Sequence, residues 1–442
     1  MKIGSLRPIL LFVALTCGSL SVEATTLREA VEYAVRTNSE ILASANRRFA
    51  ADQGVLQARA GYLPRVDLSA GAGRERLDDV NTRLLGTAGN TVPKRDTTLT
   101  LSQMLFDGFA VKSEVARQTA RVDSSAYGVI ATAEDVALRA AAIYLEVLRR
   151  QETVSIAQSN LEAHQRIFKQ IKTLTEGGVG RRADFDQAKS RLAFAEANLI
   201  QEQGSLRDAQ VSYIRVIGTS ADTLVFSPPL EAILPKDEIT AIEAAVNSHP
   251  SVKSAEADVV VATALNANAK AALFPRLDLE VAATHGNGIG QGATTERSLM
   301  LRLRYNLSRG GSDTGRINET NFQIQEAREL LERVRGLIQE NVSLAYNANV
   351  TAHNRLDLLR TYASASEATR DAYIKQFSIG QRTLLDLLNA ENEYFTSRVA
   401  YVTGQYSQAT SVYRVFSGMG QLLAHLKITL PTNAGRVQTT TK

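Results

Sequence analysis

The chain of 442 residues has no tryptophan, one cysteine, and aromatic residues at only 6% of the total. Few large rings and many small side chains argue against one thick globular core and for long helices packed closely. The one cysteine, Cys17, excludes disulfides and thiolate chemistry from everything that follows it. Charge of one sign is also scarce: 50 Lys plus Arg face 46 Asp plus Glu, and no basic cluster points to nucleic acid. Beyond the first two dozen residues no run of about 18 apolar residues occurs, which excludes a membrane-spanning helix. Any spanning part is therefore a β-barrel.

Catalytic patterns are missing too. His164, His249, His285, His353 and His425 are scattered and give no paired ligand spacing. Gly177-Gly178-Val179-Gly180 lacks the Lys-Ser/Thr of a phosphate loop, and Gly286-Asn287-Gly288-Ile289-Gly290 opens no helix. No Ser, His, Asp order can be defended as a nucleophile setting. The expectation is a protein with no catalytic residue, no cofactor and no metal.

The start of the chain has the three parts of a secretory signal: Lys2 and Arg7, an apolar stretch from Ile9 to Leu15, and Ala24 at a cleavage point. Residues 1–24 are read as that signal. Thr16 stands before Cys17 where a lipid-attachment site prefers a smaller residue, so lipidation is disfavoured.

What is present is a duplication. Ala34-Val35 to Leu63-Pro64-Arg65-Val66-Asp67-Leu68 recurs as Ala245-Val246 to Phe274-Pro275-Arg276-Leu277-Asp278-Leu279, 211 residues on. After the next strands the offset becomes 202, relating Gly108 to Gly310, Tyr144 to Tyr346, Gly178 to Gly380, Asp184 to Asp386 and Gly218 to Gly420. The difference, 211 − 202 = 9 residues, falls in the hairpin between strands. The chain therefore divides into a first repeat (25–218), a linker (219–238), a second repeat (239–420) and a C-terminal tail (421–442).

Each repeat opens with a helical stretch, Leu27 to Tyr62 or Ile239 to Leu273. Pro64 and Pro275 end these stretches and mark helix-to-strand corners, because proline cannot donate and pushes the preceding residue to extended geometry. Strands are expected at about 64–74, 97–107, 275–285 and 297–307, joined by polar, glycine-rich loops from Arg74 to Asp96 and Gly286 to Arg297. In the second repeat Leu277, Leu279, Val281 and Ala283 alternate with Arg276, Asp278 and Glu280, so one face is oily and the other wet. Strands of about 9–11 residues suit a tilted bilayer crossing. Four strands cannot close a barrel of useful size, and an open edge is not tolerated in lipid. Several chains must share one barrel.

Long helices follow each strand pair. The stretch from Gly108 to about Glu176 contains no proline and would span on the order of 100 Å. Val136, Ala140, Ile143 and Val147 form one stripe on it, with Ala137, Ala141, Tyr144 and Leu148 beside them. The second repeat matches this with Leu330, Val334, Leu337 and Leu344 beside Leu331, Ile338, Val342 and Ala345. Two stripes mean two neighbours, so each helix is a stave in a curved wall. The turns fall at Gly178 and Gly180 and at Gly380, where glycine permits the left-handed helix-ending conformation.

The leader, the duplicated helix-strand-strand-helix-helix unit, the prolines before the strands, and the tip segments Gly178 to Asp184 to Ala188 and Gly380 to Asp386 to Ala390 resemble the TolC family of outer-membrane efflux and secretion channels. The stretch from Phe377 to Ala390 carries the resemblance most specifically. The resemblance implies a mainly α protein with a membrane β-barrel portion, a homotrimer whose twelve strands cross the outer-membrane lipid and continue into a periplasmic helical tunnel. It implies as partners a periplasmic adaptor and an inner-membrane ABC or proton-driven transporter, with no nucleic acid. It makes Arg382 a basic latch at the periplasmic tip, Asp184 a carboxylate that Arg382 can pair with, and Asp386 an aperture carboxylate. Phe377 stands at an aromatic latch position without a phenolic hydroxyl, Ala183 replaces a hydroxyl residue, and Asn389 replaces a second aperture carboxylate. Ser417-Gly418-Met419-Gly420-Gln421-Leu422 resembles the secretion members and favours type I protein secretion, with multidrug or small-molecule efflux as the alternative. A periplasmic adaptor would have one hairpin, and a structural coiled coil would not need charges alternating with leucine in four strands.

Overall fold

The computed structural model describes residues 25–221, 223–229, 233–288 and 291–430. The expected signal segment and Cys17 lie outside the described residues. The first half runs α1 (Leu27–Thr37), α2 (Ser39–Arg59), β1 (Arg65–Arg76), a short α3 (Val80–Leu84), β2 (Thr91–Phe106), α4 (Ala110–Glu176) and α5 (Arg182–Ile217). The second half runs α6 (Glu238–Ser248), α7 (Pro250–Lys270), β3 (Arg276–Gly288), β4 (Gln291–Arg304), α8 (Ser312–Ser378) and α9 (Leu384–Gly418), followed by α10 (Leu422–His425).

The halves correspond element by element. Helices α1 and α6 both have 11 residues, α2 and α7 both 21, and α4 and α8 both 67. At about 1.5 Å per residue the last pair are each about 100 Å long.

Three sequence expectations need correction. The opening stretches are not single helices: the first breaks at Asn38, whose side chain accepts from the Glu40 N–H to start α2, and the second breaks at His249 before Pro250. The strands also reach further into the hairpins than alternation shows. β1 continues to Arg76, β2 begins at Thr91 and β4 begins at Gln291, because ladder hydrogen bonds need no apolar side chain. β4 ends at Arg304, so Tyr305 and Leu307 lie beyond it. Pro64 and Pro275 lie between a three-residue 3₁₀ turn (Ala60–Tyr62 or Ala271–Leu273) and the first strand residue.

The four strands form one antiparallel sheet in the order β1-β2-β3-β4, so β1 and β4 each leave an outer edge unpaired. The register aligns Val66, Leu101, Val281 and Leu299 in one row across the sheet. Near the sheet the helices lie side by side as α2, α4, α7, α8; toward the far tips the neighbours are α5, α4, α9, α8. α4 thus has a partner on each flank, whereas α8 has one.

The main core lies midway along this wall. It gathers Val136, Ala140, Tyr144 and Val147 of α4 with α1, the end of α5, the end of α9, and Leu422 and Leu423. Tyr144 is fully buried, and its single hydroxyl proton is shared between the carbonyls of Thr25 (2.8 Å) and Val225 (2.7 Å) while its oxygen accepts from the Val225 N–H (3.0 Å). The linker is thereby tied to the wall. Tyr346, its counterpart, bonds the Pro235 carbonyl at 3.4 Å. The tail is tied as well: the buried Glu134 carboxylate accepts from the Leu422 and Leu423 N–H groups at 2.9 and 3.2 Å. Burial pushes that carboxyl up to about 7.

Candidate functional site: membrane sheet and helical tip

The sheet separates two chemistries. Val66, Leu68, Leu299, Leu301 and Leu303 point to one side and are 60–72% exposed. A water-exposed row of this size is unfavourable, at about 25 cal/mol per Å² of apolar surface, unless something apolar covers it. The other side is polar and internally paired. Arg65 meets Asp67 at 2.7 Å, Arg302 meets Glu280 at 2.8 Å, and Asp278, only 7% exposed, is shared by Arg276 (2.8 Å) and Arg304 (3.7 Å). All of these groups but Arg302 line a concavity of about 480 Å³ on the wet face. Oily outside and wet inside is the pattern of a barrel wall in lipid. No helix among the described residues is long and apolar enough to cross a membrane.

At the helix end of the sheet the corners are crowded in the first half and open in the second. Gly108 has φ 69° and faces the Ala271 carbonyl and Phe274, with Phe109 beside it also at positive φ. Phe109 packs edge-on against Phe106 and Phe274 at 5.4 and 6.3 Å. The matching Gly310 and Gly311 also have positive φ but nothing around them.

Both far tips turn on glycine. Gly178 (φ 76°) and Gly380 (φ 75°) adopt the left-handed conformation, and the next N–H returns to a carbonyl five residues back, Val179 to Leu174 (3.1 Å) and Gln381 to Gln376 (2.9 Å). This closes each helix end as a Schellman turn. Gly180 lies against the Thr175 backbone, where a Cβ would come within 2.7 Å.

The expected gate residues fall on these tips. Within the chain Arg382 does not meet Asp184. Its Nε donates to Gln376 at 2.9 Å and its guanidinium lies 4.4 Å from the centre of the Tyr373 ring. Asp184 has no hydrogen-bond or ion-pair partner among the described residues and sits in the first turn of α5, where a negative charge complements the helix dipole. Asp386 forms a capping box with Thr383: the threonine hydroxyl and N–H donate to it at 2.9 and 3.2 Å, and the Asp386 N–H returns to the threonine oxygen at 3.2 Å. Those bonds, hydroxyl first, hold the Asp386 carboxyl below its ordinary range. Asn389 is exposed. Phe377 belongs to the tip core, half-buried against Ile167, Ile171, Leu384 and Leu388.

The sequence reading missed Tyr373 and Gln376. Tyr373 stands four residues before Phe377, on the same helix face, so the i, i+4 spacing carried the signal. Gln376 is linked to Arg382 only by the fold of the turn.

Among the described residues no group of three or more His, Cys, Asp or Glu is arranged to hold a metal ion. An oily-outside sheet joined to a wall of helices about 100 Å long is the build of an outer-membrane channel protein that extends into the periplasm. The chain belongs to the outer membrane efflux protein family, whose profile matches residues 31–219 and 241–421. It is 25% identical to the outer membrane efflux protein BepC of Brucella suis biovar 1 (strain 1330), over 90% of this chain and 86% of that one. It is 23% identical to the proteases secretion protein PrtF of Dickeya chrysanthemi, over 89% and 87%. The crystal structure of the CmeC outer membrane channel of Campylobacter jejuni superposes with a TM-score of 0.78 at 16% identity, covering 90% of this chain and 86% of that one. The protein is a channel component and not an enzyme.

Proposed function

We propose that three copies of the chain, each made of repeats 25–218 and 239–420 joined by 219–238, close one twelve-stranded barrel and one helical tunnel. This duct forms the exit of a tripartite export system whose other parts are a periplasmic adaptor and an inner-membrane transporter. The observation that carries the reading is incompleteness: a single sheet has two open edges and an exposed leucine face, and α8 has a bare flank. Lipid tolerates no open edge, so β4 of one copy must meet β1 of the next. Recovery from outer-membrane detergent extracts as a heat-sensitive trimer is expected; a soluble periplasmic monomer overturns the reading.

Type I protein secretion is the preferred cargo class, supported by the Ser417 to Leu422 segment and by relatives such as PrtF. Similarity to BepC supports the alternative, small-molecule efflux. Deleting the gene and measuring both secreted protein and dye accumulation separates them. Loss of a secreted protein with unchanged dye retention supports secretion, and the reverse replaces it with efflux.

The tip is the proposed gate. With no partner among the described residues of its own chain, Asp184 can take Arg382 of a neighbouring copy, while Asp386 and Asn389 face the aperture. Conductance of purified trimers in planar bilayers tests this: Asp184→Ala and Arg382→Ala are expected to raise it, and unchanged conductance removes the latch.

A further inference from the structure

The outward face of the sheet changes character toward its hairpin end, the end away from the helices and hence on the cell-surface side. Above the leucines, a basic or imidazole side chain appears on each strand: Arg74 on β1, with Arg76 one step further out, Arg95 on β2, His285 on β3 and Arg297 on β4, all exposed. Their positions form a staircase. Arg95 pairs across from Ala72, two residues short of Arg74; His285 pairs across from Thr97, two short of Arg95; Arg297 pairs across from Ala283, two short of His285. In a barrel whose strands tilt by about 35–45°, a line level with the membrane must step back along each successive strand. At about 4.8 Å between strands and about 3.3 Å per residue that step is between one and two residues, and same-face positions come in twos. The two-residue staircase, about 6.6 Å per strand, therefore follows that tilt to within about 2–3 Å per strand and keeps the four side chains in one band above the leucines.

Charge is sorted between the two faces. All six strand carboxylates, Asp67, Glu75, Asp96, Asp278, Glu280 and Glu296, alternate onto the inward face among the described residues. Inward cations are paired with them, Lys94 meeting Glu75 at 2.5 Å. None of Arg74, Arg95 and Arg297, nor Arg76 one step further out, has an ion-pair partner among the described residues. The rims differ as well. At the helix end the exposed side chains include the aromatics Tyr62, Phe109, Phe274 and Tyr305, as in an aromatic belt, whereas the outward positions of the hairpin rim carry no aromatic residue among the described residues.

We infer that this band binds the phosphate groups of anionic lipid headgroups in the surface-facing leaflet. Directly above an apolar band, a guanidinium stands at headgroup depth, where its planar fork matches phosphate oxygens in pairs. No outward strand carboxylate competes for it among the described residues. The inference rests on the shared-barrel reading, which supplies the tilt and repeats the band three times.

The test uses purified trimers in neutral detergent, titrated with bis-phosphorylated lipid A or with the same lipid stripped of phosphate, and read by native mass spectrometry. At about fivefold per arginine, wild type is expected to prefer the phosphorylated lipid on the order of 100-fold, and R74Q/R95Q/R297Q to lose that preference. Equal retention of both lipids by wild type overturns the inference, as does a preference kept by the triple variant. Excess inorganic phosphate is expected to leave lipid retention unchanged; displacement by it would overturn the lipid source. If the glutamine variant yields no trimer, R74K/R95K/R297K carries the test, with a preference expected between the other two and an unchanged one overturning the role of the fork. Failure of the shared barrel shows separately, as absence of a heat-sensitive trimer from the wild-type preparation.

Discussion

Helices α4 and α8 have the same length and the same place in their repeats, yet twenty-two residues of α4 are buried and only six of α8. The difference is position in the wall. α4 is flanked on both sides by its own chain, and both of its stripes are covered. On α8 the stripe of Ile338, Val342 and Ala345 packs inward while Leu330, Leu337 and Leu344 stay 47–58% exposed. One copy of the duplication became the centre of the subunit, and the other became its border. Identical local sequence logic thus yields a covered stripe in one place and, in the other, an exposed one that the proposed trimer would cover.

The sharpest way to break this comparison is to charge the border. Leu337→Asp with Leu344→Asp is expected to abolish the trimer on semi-native gels while far-UV circular dichroism keeps its helical signal, because the burial that is lost lies between chains. A trimer of normal heat stability would mean that the exposed stripe faces water. Next in size, Leu145→Ala in α4, 1% exposed, is expected to cost the subunit about 2–5 kcal/mol, read as lower refolding yield and a lower unfolding midpoint. Leu337→Ala should leave the subunit midpoint in place and lower only the trimer dissociation temperature.

The corner glycines sharpen the comparison at smaller scale. Gly310→Ala meets only the left-handed backbone cost of about 1–2 kcal/mol, since nothing lies nearby. Gly108→Ala meets the same cost and must also displace the Ala271 carbonyl, 2.6 Å from the added carbon. Its loss in thermal midpoint should be the larger; equal losses would show that the first corner is no tighter than the second.

A pH-dependent effect concerns Glu134, whose counterpart 202 residues on is Gly336. Its folded pKa is raised, from 4.5 to about 7, so the folded state holds the proton more tightly than the unfolded one. That contribution is full below about pH 4.5 and is lost as pH rises through about 7. Thermal midpoints of the wild type should therefore fall across that window relative to Glu134→Gln. Parallel curves would remove Glu134 as the source.

Much of this was legible before any coordinates. The fixed offset, the two prolines, the strand alternation and the paired stripes come from periodicity and backbone chemistry, which are local. Tertiary choice is not local. Nothing in the spacing of Leu330, Leu337 and Leu344 distinguishes a stripe covered by the same chain from one left for another. The strand ends lie beyond the expected bounds because Thr91 to Asp96 and Gln291 to Glu296 pair by ladder hydrogen bonds that no apolar alternation announces. At the tip, Arg382 could be named from resemblance, but its bonds to Tyr373 and Gln376 depend on how the Gly380 turn folds the chain back.

The equal lengths of α4 and α8 have a consequence for how such a protein can change. A residue removed from one helix alone would shorten it by about 1.5 Å and rotate everything beyond it by about 100°, throwing its stripes out of step with a neighbour of unchanged length. Hairpins differ between the repeats by nine residues, but the 67-residue helices do not differ at all. The reach of the duct below its membrane is a dimension written twice in the gene, and it can be edited only in both places at once.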